Sequence, residues 1–300
     1  MQYQILKFFQ EIANPFLSFI ANTLSLCGEQ AVMIVIILII YYGLDKAKGF
    51  AIISSMFTSL ITVNGIKAIV RAPRPFIVHS DLIGDRLETA TGYSFPSGHT
   101  AGASSFYISI AKAFKSTKLL VIALLLALFI GFSRLYLAVH WPIDVLVGYI
   151  IGALVAIFLT PIFISVYNDK ERCIRFSLIF ASASALATII LTILLSLNTI
   201  DSTAFTDLMK MLAIAAGAYA GCALERKKVN FKEAKTVKGT IINILISAIG
   251  IAIIMSIKFI IPANLYALGA AIRYSLLGFY LTGVYPLIAV KIGVMKNEEK

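Results

Sequence analysis

His140 stands four residues before Asp144 in the stretch SRLYLAVHWPID. At that spacing a carboxylate can accept the imidazole Nδ1 proton, which leaves Nε2 as the free, nucleophilic nitrogen and stabilises the cation that forms later. The stretch YSFPSGHTAG carries a second histidine, His99, directly behind Pro96, Ser97 and Gly98. A helix that begins near Ser97 exposes unpaired N–H groups, and Gly98 permits close approach of its backbone. An anion such as phosphate could be held there with His99 beside it. In KAIVRAPRP, Arg71 and Arg74 follow Lys67 at steps of four and seven. On a helix those steps predict one cationic face, ending where Pro75 stops the helix.

Each stretch also has a plain reading. Cations at a helix C-terminus answer the dipole or snorkel, a serine before glycine caps a helix, and a histidine beside Trp141 fits an interfacial aromatic belt. Taken together, two histidines, several cations including Arg134, one orienting carboxylate and a helix N-terminus gather at one end of the apolar runs. A cationic cup that places a nucleophile and an acid in line is what reaction at phosphorus needs. Asp81, Asp85 and Glu88 have no evident partners, and Cys27, Cys173 and Cys222 are scattered, so neither a metal site nor a disulfide framework is expected.

The elements that must position these residues are membrane helices. The chain is 59% hydrophobic and 14% charged, with a mean hydropathy of +0.91, which implies an all-α, polytopic transmembrane bundle. Apolar runs of about 20 residues fall near 29–44, 50–70, 98–115, 118–137, 142–166, 174–197, 205–224, 239–261 and 266–290, nine spans in all. Lys46 and Lys48, then Lys112, Lys115 and Lys118, then Lys170, Arg172 and Arg175, then Arg226 through Lys238, and finally Lys291, Lys296 and Lys300 occupy every second connection. The positive-inside rule makes that set cytoplasmic and leaves the 71–97 loop and the 138–141 connection outside. The net charge of +11 is then a matter of topology, and no nucleic-acid partner is expected. Residues 1–27 read as an amphipathic interfacial helix with Ile5, Phe8, Phe9 and Ile12 on one face, not as a secretory signal. The polar stretch at 166–175 separates a core at 28–168 from a four-span segment at 169–300. Gly148 with Gly152, and Gly217 with Gly221, would let helices approach closely.

These residues resemble the signature of the type 2 phosphatidic acid phosphatase superfamily, K-x6-R-P, then P-S-G-H, then S-R-x5-H-x3-D. Here it stands as Lys67 to Arg74-Pro75, Pro96-Ser97-Gly98-His99, and Ser133-Arg134 to His140 to Asp144, with every internal spacing matched. The resemblance covers roughly 28–168 and implies a helical bundle whose catalysis needs no metal or other cofactor. It further implies that His140 attacks phosphorus and becomes phosphohistidine, that Asp144 orients it, and that His99 protonates the leaving oxygen and then activates water. Lys67, Arg74, Ser97, the Gly98 amide and Arg134 would bind the phosphoryl oxygens. Arg71 and His79 lie outside the pattern, as a surface arginine and a loop residue. The last four spans are not explained by the resemblance; packing, oligomerisation or a groove for a long lipid chain are the readings open to them.

The function expected from this pattern is hydrolysis of a lipid phosphate or diphosphate at the extracytoplasmic face of the cell membrane. An isoprenoid diphosphate such as undecaprenyl diphosphate and a glycerolipid phosphate both fit. A phosphotransferase that passes the group to another lipid or a sugar would use the same phosphohistidine. A transporter or lipid-binding protein is the non-enzymatic alternative, although a binder needs neither the His140–Asp144 pair nor a second histidine.

Overall fold

The helices break where the sequence cannot continue them. The computed structural model describes residues 1–297; Lys300, counted above with the basic residues, lies outside them. The N-terminal helices are α1 (Gln2–Glu11), α2 (Pro15–Cys27) and α3 (Gln30–Leu38), the last running on as a π-helical turn over Ile39–Leu44. Asn14 caps α2 by accepting from the amides of Phe16 and Leu17. Helix α4 (Lys46–Val70) stops because Arg71 adopts a left-handed φ of 52° and because a residue preceding proline, here Ala72 before Pro73, avoids the helical region. Arg74 is therefore extended (φ −77°, ψ 155°), at the head of the short α5 (Pro75–Val78). The single helical face expected for Lys67, Arg71 and Arg74 does not form, since only Lys67 lies on the helix.

Helix α6 (Gly98–Ala113) is capped by Ser97, whose Oγ accepts from the Thr100 amide at 3.4 Å. It is followed by α7 (Thr117–Tyr136) and α8 (Pro142–Asn168). Pro142 opens α8 at a position where its missing N–H is not needed. Beyond these lie α9 (Lys170–Ser196), α10 (Ser202–Leu224), α11 (Val237–Ser256), α12 (Tyr266–Phe279) and α13 (Tyr285–Lys291), with a two-residue antiparallel pairing of Phe231–Lys232 and Lys296–Asn297. Among the described residues, seven helices are long and apolar enough to cross a membrane, and α2 with the segment Gln30–Leu44 forms an eighth, broken by a bend of 49°. The protein is a multi-span membrane protein. The ninth run expected from the sequence, 98–115, forms the 16-residue α6, about 24 Å long against a hydrocarbon core of about 30 Å, and so falls short of that length.

The chain forms two compact units, one of Met1–Ile36 with Ala51–Phe163, the other of Ile37–Phe50 with Ile164–Lys300. In the first, α6 is the enclosed helix. Its serines, its alanines and Gly102 are buried, and small and hydroxyl-bearing residues suit close helix contact where lipid offers no competing hydrophobic drive. The Ser55 hydroxyl of α4 bonds the Thr160 hydroxyl of α8 at 2.9 Å, which bonds Ser109 of α6 at 2.8 Å. Gly148 and Gly152 present α8 to α6 as their spacing implies: a Cβ on Gly148 would lie 2.6 Å from the Ser97 carbonyl oxygen, and one on Gly152 would run into the Ala101 carbonyl. Helix α1 is held by Leu6, buried against Leu82, Leu135 and Val145, while Ile5, Phe8 and Ile12 stay exposed.

In the second unit, Gly217 and Gly221 of α10 abut the backbone of α12 and the turn after it. Its buried cations are partnered at the α10 end: Lys46 pairs with Glu225 at 3.5 Å, and Arg226 lies 4.4 Å over the Tyr167 ring and donates to its carbonyl.

Replacing Gly152 with Val is expected to destabilise the first unit by roughly 1–3 kcal/mol or to prevent its folding. Gly65→Ala, at a site where a Cβ meets nothing within 4 Å, should change stability by less than about 0.5 kcal/mol. Thermal unfolding of the two purified variants in detergent checks the contrast.

Candidate active site

The ends of α4, α6, α7 and α8 within the first unit assemble the three motif stretches. Helix α7 carries Arg134 in its last turn, and a tight turn with Ala138 at φ 53° brings the chain to His140. Asp144 lies in the first turn of α8. Its Oδ2 accepts from the Trp141 amide at 2.8 Å and from His140 Nδ1 at 3.3 Å, and also takes the Ser94 hydroxyl. On the far side of the ring, His140 Nε2 stands 3.3 Å from a terminal nitrogen of Arg74. A guanidinium only donates, so Nε2 is the acceptor nitrogen and Nδ1 carries the proton towards Asp144.

The cations are anchored by backbone. Arg74 donates to the carbonyls of Thr91 (2.6 Å), Gly92 (3.0 Å) and Val139 (2.8 Å). Lys67 Nζ donates to the carbonyl of Tyr93, to which Arg74 also reaches at 3.5 Å. The Ser97 amide donates to the Asp144 carbonyl at 2.9 Å, which fixes the start of α6 against the start of α8. A Cβ on Gly98 would lie 4.0 Å from Lys67 Cε, an ordinary contact distance, which places the first residue of α6 beside that lysine. Lys67, Arg74, Ser97, Gly98, His140 and Asp144 thus form one connected group.

His99 and Arg134 are close neighbours that make no hydrogen bond to this group among the described residues. Arg134 is fully buried and donates to Ser25 Oγ at 2.6 Å and Thr89 Oγ1 at 3.2 Å, while its Nε has no partner. His99 Nε2 is likewise buried with no hydrogen-bond partner. Arg71 is exposed and its Nε folds back on the Ala68 carbonyl. His79 stacks between Tyr3 and Trp141, with ring centroids 4.4 and 5.9 Å away. Sequence reasoning missed Ser94, Ser25 and Thr89, hydroxyl residues in a loop, a helix and a short turn. Only Ser94 had a cue, its place three residues ahead of Ser97.

The outer-loop carboxylates have partners after all. Asp81 accepts from the Tyr3 hydroxyl at 2.5 Å and Lys7 at 3.0 Å, which holds its carboxyl below the usual carboxylate range. Asp85 accepts from the Arg86 amide, and Arg86 pairs with Glu29 and, at 3.7 Å, with Glu88. Among the described residues no group of three or more His, Cys, Asp or Glu is placed to hold a metal ion.

Burial first, then the charges of Arg74, Lys67 and Arg134, push the His140 imidazole well below the ordinary histidine range. It is a neutral base at neutral pH, framed by cations.

Two family models match the chain. The PAP2 superfamily model, the type 2 phosphatidic acid phosphatases, matches residues 48–167, and the PAP2 superfamily phosphatase transmembrane extension matches 209–297, so that together they cover more than half of the chain. The chain belongs to the PAP2 superfamily. The second match also gives the C-terminal spans a place in the PAP2 superfamily that the motif resemblance left unexplained. Among curated proteins, undecaprenyl-diphosphatase BcrC of Bacillus subtilis is 34% identical over 121 residues, 40% of this chain and 55% of that protein. An undecaprenyl-diphosphatase of Sulfolobus acidocaldarius is 27% identical over 133 residues, 43% of this chain and 63% of that protein. Phosphatidylglycerophosphatase B of Escherichia coli is 42% identical over 71 residues, 22% of this chain and 28% of that protein. The chain spans a little over half the length of the first two relatives.

The chain has three histidines, so nitrogen-15 NMR of histidine-labelled protein can resolve His140. It should show a neutral, Nδ1-protonated ring at pH 7. With Arg74→Met, loss of a facing positive charge should raise its pKa, while burial still holds it below the ordinary histidine range. A protonated ring at pH 7 in the unaltered protein would contradict the tautomer and the charge state.

Proposed function

We propose that this PAP2 superfamily member hydrolyses the phosphate or diphosphate of a membrane lipid through a phosphohistidine. The observation that carries the reading is the pairing of His140, with Nδ1 held by Asp144 at 3.3 Å and Nε2 facing Arg74 at 3.3 Å. A phosphoryl group lodged against Arg74 would meet the Nε2 lone pair. A P–N bond then forms as the P–O bond to the leaving group breaks, and His99 delivers a proton to the leaving oxygen. In the second step water attacks phosphorus, the P–N bond breaks, and His99 takes the water's proton. Lys67, Arg74, Ser97, the Gly98 amide and Arg134 hold the phosphoryl oxygens, with each preorganised donor contributing about 2.7–4 kcal/mol to the barrier reduction.

Substrates of lipid type are favoured by the site's position at helix ends, near the depth of head groups. A cavity of ≈370 Å3 that reaches Asp144 is lined mainly by apolar side chains, Val70, Ala72, Phe95, Trp141 and Ile143, with Gln2 beside them. The names of the two relatives with the longer matches favour an isoprenoid diphosphate, and that of the third a glycerolipid phosphate. An extracytoplasmic site at the cell membrane is supported by the alternation of basic connections, with α6 crossing as a short span.

Phosphate release from prenyl diphosphates, glycerolipid phosphates and soluble sugar phosphates tests the reading. A lipid should be turned over, His140→Asn should abolish release in a folded protein, and Arg74→Met should lower kcat by about 10²–10³-fold. Turnover by His140→Asn would refute the mechanism, and suppression of phosphate release by an added acceptor alcohol would make the protein a phosphotransferase. For orientation, Ser80→Cys, at an exposed loop position, should react with an impermeant thiol reagent from outside intact cells. Labelling only after permeabilisation would reverse the topology.

A further inference from the structure

Arg273 sets the second unit apart. It lies inside α12, two turns from the helix start, and is only 7% exposed. The other two buried cations of that unit, Lys46 and Arg226, are matched by Glu225 and by the Tyr167 ring and carbonyl. Arg273 makes one hydrogen bond, from Nε to the Gly269 carbonyl of its own helix at 3.3 Å, and no carboxylate pairs with it among the described residues. An arginine buried in a membrane helix is costly and marks a site where something polar is received. The guanidinium helps line a cavity of ≈430 Å3, together with Lys258, Phe259, Ile261, Pro262, Tyr266 and Gly269.

That cavity has the chemistry of a receptor for an anion. Lys258 supplies a second cation, exposed and poised over the Phe259 ring at 4.7 Å. Asp207, near the start of α10, is occupied by Lys210 at 3.3 Å. Gly269 is bare where Ile261 packs down on α12, so the connecting segment closes over the helix and forms the cavity wall. The rim is apolar, with Phe259 78%, Ile260 80% and Tyr266 52% exposed, and the faces of α11 and α12 beyond it expose Ile253, Leu268, Ile272 and Leu276.

We propose that the Arg273–Lys258 cavity binds the phosphate of an anionic membrane lipid without hydrolysing it. The guanidinium and the ammonium hold the phosphate, and the acyl chains run along the exposed aliphatic faces of α11 and α12. Among the described residues that line the cavity there is no histidine, cysteine or carboxylate to attack phosphorus, so the lipid leaves unchanged. The apolar rim selects a lipid over free phosphate, which would have no use for it.

Native mass spectrometry of the full-length protein, released from micelles with added phosphatidylglycerol, diacylglycerol or inorganic phosphate, tests this. The unaltered protein should keep a phosphatidylglycerol adduct that diacylglycerol does not form. Lys258→Met, at an exposed side chain, and Arg273→Met should each weaken that adduct about tenfold, the loss of one charged hydrogen bond. Phosphate release at the His140 site should be unchanged in Lys258→Met. Equal adduct affinity in the unaltered protein and in a folded Lys258→Met variant would overturn the proposal. Binding of inorganic phosphate that displaces the lipid at equal concentration would overturn the assignment to a lipid.

Discussion

Arg74 ties together stretches of chain that no helix joins. Its guanidinium donates to the carbonyls of Thr91 and Gly92 in one loop and of Val139 in another, and reaches His140. At the end of a membrane bundle such carbonyls have few other donors, and a buried one left unpaired is expensive. One side chain therefore satisfies two loops and in the same geometry sets the charge next to the reactive nitrogen. Its scaffolding and electrostatic roles cannot be separated, because the bonds that hold the loops also aim the cation.

The electrostatic balance of the site is lopsided. Lys67, Arg74 and Arg134 are all buried, and the buried carboxylate that faces His140 is Asp144. An excess of positive charge in a poorly solvated pocket is unfavourable on its own and becomes favourable when an anion enters. The neutrality of His140 belongs to the same balance: a fourth positive charge is what the surroundings most strongly resist. Arg134 Nε and His99 Nε2 are buried without a hydrogen-bond partner, two further donor or acceptor positions that an anion or its leaving group could use.

Much of this was legible in the residues. The spacing of His140 and Asp144 on one turn, the serine cap of α6 and the glycine pairs all translate directly into contacts, because each depends on local geometry along one helix or helix end. The cationic face of Lys67, Arg71 and Arg74 was misjudged for a local reason, since the proline at 73 already denies Ala72 a helical conformation. Ser25, Thr89 and the carbonyls that hold Arg74 could not be read from the chain. They are brought in by tertiary packing, and nothing in a serine or a backbone carbonyl advertises its partner. Arg273 is visible in the chain as an ionisable residue in an apolar run, but the cavity beside it exists only because residues 257–265 fold back over α12.

Helix α6 holds the floor of the site although it is a poor membrane segment. It is short and carries His99, Thr100, three serines and Lys112. Alone such a sequence gains little from entering lipid. Its place in the bilayer comes from neighbours: Ser59 of α4 reaches its Ala101 carbonyl, Ser104 reaches Tyr149 of α8, and Ser109 receives Thr160. During synthesis α4 is made before α6, and α7 and α8 only afterwards, so α6 must be sheltered until its later partners emerge. Biogenesis of this protein is thus a problem of handing over one reluctant helix, and His99 of the candidate site is among the residues that make it reluctant.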